Sequence, residues 1–246
     1  MKFLHATLPT LAENLALDEA LLESADAGLA AEEVLRMWAA ESLFVVVGRS
    51  SRVDGEVQRD TARRWNVPIF RRVSGGTSIV AGPGCLFYSV LLDLEQRPHL
   101  RMLDEAHRFV MTNLMRGIAP LRPDVRFEGT CDLVIPSSTK AAQLRKFSGN
   151  ALRVGRRWML YHGTLLIDMH LPWISQLLKH PPREPGYRGG REHSEFLANL
   201  NVDPVALMVS LQRAWNAAGA PEKLPMEIVA KLVQERYALD TWNFQR

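Results

Sequence analysis

The chain has 246 residues, 47% hydrophobic and 23% charged, with 30 Lys and Arg against 27 Asp and Glu and a formal net charge of +3. That length fits one large domain, or a domain with a small appendage, and so even a charge balance argues against nucleic acid as the principal partner. Two cysteines, Cys85 and Cys131, make no disulfide framework and point to a reducing compartment. No apolar run reaches membrane-spanning length, and Met1–His5 lacks the apolar core of a signal peptide. The expectation is a cytoplasmic protein with no membrane partner.

Residues 12–27 predict a helix: Ala16, Leu17, Ala20, Leu21 and Ala25 recur near the 3.6 period, with Glu13, Asp18, Glu19 and Glu23 between them. Leu35, Met37 and Trp38 form a short apolar run, and 42–48 is a continuous β-branched and aromatic stretch, expected as a buried strand ending at Gly48-Arg49-Ser50. Residues 54–66 read as a helix. Next comes Arg71-Arg72-Val73-Ser74-Gly75-Gly76, followed by a Gly82-Pro83-Gly84 turn and the apolar run 85–92. Strand-like runs on both sides predict a hairpin around the glycines. Residues 101–118 are helical by pattern, and Pro120 and Pro123 end that helix.

Residues 125–135 predict a strand and 136–142 a loop. Arg145-Lys146-Phe147-Ser148-Gly149-Asn150 follows, then a basic turn, then 158–167 as a strand broken by Gly163. A short helix starts at Pro172. The Pro, Gly and Arg-rich segment 180–192 reads as a mobile loop. Helices are expected at 203–218 and 225–237. The domain reading is a catalytic domain over 1–200 and a short helical appendage over 201–246.

Several residues could carry chemistry. A glycine pair lets backbone approach a ligand closely, and the arginines before it offer forked donors for phosphate or carboxylate. Lys146 beside a glycine could neutralise a phosphate or polarise a carbonyl, or be an exposed lysine at a strand end. His162 in an apolar run is a core histidine or a ligand-orienting one. Asp132 is a partner for Lys146, a helper of metal binding or a turn residue. Cys131 is a nucleophile where nearby cations lower its pKa, or a small buried side chain. Cys85, within an apolar strand, reads as packing. The sequence holds no CxxC, HExxH, Walker A or GxSxG pattern, and no metal-ligand set is assigned.

Arg71–Gly76, Arg145–Ala151, Tyr161-His162-Gly163-Thr164-Leu165-Leu166, the helix segment Asn14–Leu22 and Val47-Gly48-Arg49 occur in an order and spacing that resembles the lipoate-protein ligase family. That family shares its catalytic domain with biotin-protein ligases and octanoyltransferases. The resemblance covers about residues 10–200. It implies an α+β fold of mixed, largely antiparallel sheets flanked by helices, the biotin/lipoate-protein ligase-like catalytic domain. It implies transfer of a lipoyl or octanoyl group to a specific lysine of an acceptor lipoyl domain, through a lipoyl-adenylate. ATP and Mg²⁺ would serve a ligase, with lipoate or lipoyl-adenylate as ligand. Partners would be a lipoyl domain of 2-oxoacid dehydrogenase or glycine cleavage H-protein type, and an acyl carrier protein or a separate accessory domain.

By the same resemblance Lys146 is the catalytic residue, contacting the acyl carbonyl and phosphate oxygens. Arg71 or Arg72 faces the phosphate, and Ser74, Gly75, Gly76, Ser148, Gly149, Asn150, His162, Gly163 and Thr164 bind substrate. Asp132 matches a position linked to the metal-nucleotide. The lipoyl tail would occupy an apolar tunnel. Thr77, Ala81 and Gly82 stand where the ligases carry a third glycine and then His-Asp, and the short stretch after residue 200 is expected not to form the ligases' full C-terminal domain. A carrier-protein-dependent transferase using Cys131 and a non-catalytic binding relative are the alternatives.

Overall fold

The computed structural model describes residues 1–138, 140 and 143–245. The loop expected at 136–142 lies partly outside them, at Thr139, Ala141 and Ala142. The strands are β1 (Lys2–His5), β2 (Val34–Ala39), β3 (Phe44–Val47), β4 (Ile69–Arg71), β5 (Ile79–Ala81), β6 (Cys85–Asp93), β7 (Arg126–Glu128), β8 (Asp132–Pro136), β9 (Leu144–Val154) and β10 (Trp158–Leu166). The helices are α1 (Leu11–Asp26), α2 (Val53–Glu56), α3 (Arg59–Arg64), α4 (Leu103–Ile118), α5 (Pro172–Leu177), α6 (His193–Phe196), α7 (Pro204–Ala214), α8 (Met226–Leu232) and α9 (Asp240–Asn243).

The large sheet runs β1-β2-β6-β10-β9-β8-β7 and the small one β4-β3-β5. In the large sheet only the β1–β2 pair is parallel. This is the α+β, largely antiparallel architecture that the resemblance implied. Every residue of β6 is buried, as a continuous apolar run covered on both faces requires. The sheets meet through aromatic rings: Trp38 of β2 stacks on Phe87 of β6 at 4.0 Å between centroids, and Phe44 of β3 lies 5.7 Å from Phe87.

The glycine segment is not a hairpin. β4 and β5 flank β3 without pairing with each other; β3 is parallel to β4 and antiparallel to β5. The link from Arg72 to Ser78 therefore crosses the end of β3, where Arg72 N–H donates to the Val47 carbonyl and Arg49 N–H to that of Ser74. Gly48 makes this crossing possible, because a Cβ there would overlap the Gly76 carbonyl.

Other boundaries shift for local reasons. The helix expected at 54–66 splits into α2 and α3, since Val57 bridges Leu178 and Gln58 donates to the Leu177 carbonyl. The strand expected at 125–135 is the hairpin β7–β8, turning at Gly129 with φ of +59°. Lys146 lies within β9 rather than at its end. Gly163 does not break β10: it faces Asn150 across the β9–β10 pair, and a Cβ would strike the Asn150 side chain.

α1 starts from a capping box, Thr10 with Glu13, and lies between the large sheet and α8. Downstream of residue 200, α7 packs on α4, α8 on α1 and α9 on β4. Tyr237 donates to Glu19 at 2.7 Å, and Arg236 pairs with the same carboxylate. No described helix is long and apolar enough to cross a membrane.

Candidate active site

Two cavities meet over β9. The helix-side cavity, about 90 Å³, is lined by Leu15 and Asp18 of α1, Val46, Phe87, Ala151 and His162, among others. The loop-side cavity, about 120 Å³, is bounded by Ile79, Ile174, Leu178 and Phe196 and by the cationic residues Lys179 and Arg183. Thr77, Ile79, Lys146, Gly149 and Thr164 line both. Glu56 fixes the dividing wall: one carboxylate oxygen accepts from Ser78 N–H at 2.6 Å and from Ser78 Oγ at 2.8 Å.

Lys146 sits at the junction. Its Nζ lies 2.7 Å from Asp132 Oδ1, and its stem passes over Gly149, where a Cβ would stand 3.0 Å from the lysine Cε and Nζ. The other oxygen of Asp132 accepts from Tyr187 at 2.8 Å. The side chain is thus a compact cation with a fixed counter-charge, placed where an acyl tail in one cavity could join a head group in the other.

Deep in the helix-side cavity a hydrogen-bonded chain runs from α1 to the glycine segment. Asp18 meets His162 Nδ1 at 3.2 Å, and His162 Nε2 meets Ser74 Oγ at 2.5 Å. Asp18 also pairs with buried Arg36 at 2.7 Å and accepts from Ser89. Burial pushes the Asp18 carboxyl up, but Arg36 and His162 outweigh it and hold it below its ordinary range. Ser74 is 1% exposed and accepts from Arg72 Nε, so it locks the segment rather than presenting a nucleophile. Residue type and spacing alone do not mark Asp18 and Arg36 as part of a site. The available signal was Asn14 and Asp18 at i, i+4, one helical face, with a lone arginine in the apolar stretch 34–38.

The two arginines do not offer free guanidinium groups to an anion. Arg71 is fully buried and lines neither cavity; it donates to the carbonyls of Gly48, Arg49 and Ser51 and to that of Asn243. Arg72 lines the helix-side cavity, yet it donates to the carbonyls of Gly75 and Thr77 and braces the turn. Its burial lowers its pKa to about 10.

Ser148 lines the loop-side cavity; Gly76, Asn150 and Gly163 line the helix-side one, and Gly75 lines neither. Cys131 also lines neither; its thiol donates to the Asn150 carbonyl. Burial, then Asp132, raises it to about 11 against the pull of Lys146 and Arg72, so it is a thiol at neutral pH.

Burial, then Arg188 and His180, push the His193 imidazole beside the loop-side cavity down from 6.5 to about 4. The unfolded chain takes up a proton between those values and the folded chain does not. His193 therefore costs the fold nothing above about pH 6.5 and destabilises it increasingly as pH drops toward 4, by at most about 3 kcal/mol. Urea midpoints are expected to fall over that window, and His193→Gln to flatten the fall. Equal slopes in the two proteins would refute the assignment.

The fold is that of the lipoate ligases. Over 99% of this chain and 95% of theirs it superposes, with a TM-score of 0.79 at 20% identity, on a structure described as a bi-partite lipoate protein ligase and its E2 lipoyl domain from Thermoplasma acidophilum. A lipoate-protein ligase A bound with ATP matches with a TM-score of 0.75 at 20% identity, covering 99% of both chains. P. falciparum LipL1 in complex with lipoate gives 0.76 at 15% identity, over 100% of this chain and 74% of that one.

Residues 10–202 match the lipoyl protein ligase A/B catalytic domain, and the chain belongs to that family. A relative from Aeropyrum pernix, provisionally named a lipoate-protein ligase A, is 33% identical over 166 residues, 67% of this chain; the aligned region spans 57% of that relative's length. Octanoyltransferase LipM of Geobacillus kaustophilus is 24% identical over 262 residues, covering 95% of this chain and 94% of the relative. The family's named relatives are thus enzymes, both ligases and transferases.

Proposed function

We propose that this chain transfers a lipoyl or octanoyl group to a specific lysine of a lipoyl-domain acceptor, through an acyl-adenylate formed from the free acid and ATP. The observation that carries this reading is Lys146 on the wall common to two cavities, with Asp132 at 2.7 Å. The helix-side cavity suits an apolar tail, with Leu15, Val46, Ile79 and Phe87 in its lining. The loop-side cavity suits a nucleotide, with an apolar floor and a cationic rim. The ATP-bound, lipoate-bound and lipoyl-domain neighbours support the same assignment.

In the transfer step the acceptor amine forms a bond to the acyl carbon, the mixed-anhydride bond between the acyl carbon and the phosphate oxygen breaks, AMP leaves, and the amine's proton passes to the departing phosphate or to solvent. Negative charge grows on the carbonyl oxygen and then on the departing phosphate, both within reach of one cation at the junction. Lys146 supplies that charge already in place, held by Asp132, so little reorganisation accompanies the reaction. Mg²⁺ would be held mainly by the nucleotide's phosphates and would neutralise charge there; both oxygens of Asp132 are already engaged, by Lys146 and by Tyr187.

The transferase reading draws on the full-length match to LipM. It needs a thiolate at Cys131, and that thiol is raised to about 11 and points to a backbone carbonyl. One assay separates the two: the chain with a lipoyl-domain acceptor, given either lipoate, ATP and Mg²⁺ or an octanoyl carrier protein, read as acceptor mass. Modification only from the carrier would sink the adenylate reading. Cys131→Ser is expected to leave the ATP-dependent rate within about threefold, since the serine hydroxyl can still donate to the Asn150 carbonyl that the thiol meets.

A further inference from the structure

We infer that Arg188 is the residue by which the loop-side cavity grips a nucleotide phosphate, an inference that rests on the adenylate reading. Arg188 ends a single turn, Gly186–Arg188, is 4% exposed and lines that cavity. Its Nε is occupied: it donates to the Arg191 carbonyl at 2.8 Å and lies 3.3 Å from Glu184. The guanidinium carbon sits 4.8 Å from the centre of the Phe196 ring, which fixes the plane of the fork. The terminal nitrogens have no such use. Nη2 is buried with no hydrogen-bond partner, and among the described residues Nη1 makes no hydrogen bond either.

Native proteins pair nearly all buried polar groups, and each that goes unpaired calls for an explanation. The surroundings say what is missing. Lys146, Lys179 and Arg183 line the same cavity, and its single lining carboxylate, Glu56, already accepts from Ser78. His193 adds hydrogen-bonding capacity without charge, being neutral at physiological pH. A fork with two free terminal nitrogens in a cationic pocket matches the geometry of phosphate oxygens. Binding there would satisfy the orphaned donor and anchor the 186–191 segment over the nucleotide.

The test is calorimetric titration of the whole chain with AMP and with adenosine. The wild-type protein is expected to bind AMP about tenfold or more tighter than adenosine, the worth of one charged hydrogen-bonded contact. Arg188→Met is expected to remove that preference while leaving lipoate affinity unchanged. An Arg188→Met protein that keeps the preference, or that loses lipoate and AMP affinity equally, would overturn the assignment. Should the methionine variant not fold, Arg188→Lys decides: a reduced preference supports the fork, and an unchanged one overturns it. A wild-type chain that binds neither AMP nor adenosine overturns the adenylate reading and this inference together. AMP preference that does not depend on Arg188 overturns the inference alone.

Discussion

Lys146→Ala is expected to slow acyl transfer to the acceptor lysine by about 100- to 1000-fold, the usual cost of removing one preorganised group from a developing charge. Lipoate affinity should change little, because Lys146 stands at the junction end of the tail cavity, whose apolar lining comes from Leu15, Val46, Ile79 and Phe87. The argument rests on position. The Lys146 tip is held between Asp132 and the backbone at Gly149, on the one stretch of β9 that faces both cavities. Lys146→Arg should rescue poorly, since a planar fork cannot replace a compact ammonium in that space. The measurement is kcat by acceptor mass, alongside lipoate Kd by calorimetry. A kcat within about tenfold of wild type would remove Lys146 from the chemistry.

Asp18→Ala is expected to be the most destabilising single change in the site, by about 3–5 kcal/mol, the cost of leaving a buried charge without its partner. Arg36 has no solvent exposure, and its Nε already lacks a hydrogen bond. The same substitution frees His162 Nδ1, and with it the grip on Ser74. Stability and tail binding should therefore fall together. Asp18→Asn should cost less, because the amide oxygen can still accept from Arg36 and Ser89.

The sign with pH follows from the lowered carboxyl pKa. The Asp18 contribution is present above the ordinary carboxylate range and is lost as pH falls through the depressed value. Chemical denaturation of the three proteins at neutral and acidic pH checks both claims. A loss for Asp18→Ala below about 1 kcal/mol would show that the bonds Arg36 already makes to Asn14 and the Ala6 carbonyl satisfy its charge without Asp18.

Much of the fold was legible because burial was legible. The largely apolar run at 85–92 reads as a buried strand and the 3.6 pattern at 12–27 as a packed helix, and both form as such. Side-chain direction was not legible. Arg71 and Arg72 read as anion receivers by residue type, yet both guanidinium groups turn to backbone carbonyls, a choice made by the crossing over β3 and not by local sequence. Asp18 and Glu19 read as charges between apolar positions and are in fact buried, because their partners Arg36, Arg236 and Tyr237 come from distant segments. The neighbours of Lys146 in sequence mark it out, but its setting within the strand depends on the pairing of β8 with β9, which no local pattern shows.

The clamp between Arg71 and the last helix has a kinetic consequence. Arg71 N–H donates to the Asn243 side chain and Trp242 Nε1 donates back to the Arg71 carbonyl, across sequence separations of 172 and 171 residues. Contacts that distant close late, after the entropy of the intervening loop has been overcome. On the ribosome the glycine wall emerges well before residues 240–243 and is latched to them only once they have followed it out. A nascent chain can therefore build its sheets well before it can hold the glycine segment in place, and competence to bind should appear only after residues 240–243 have docked.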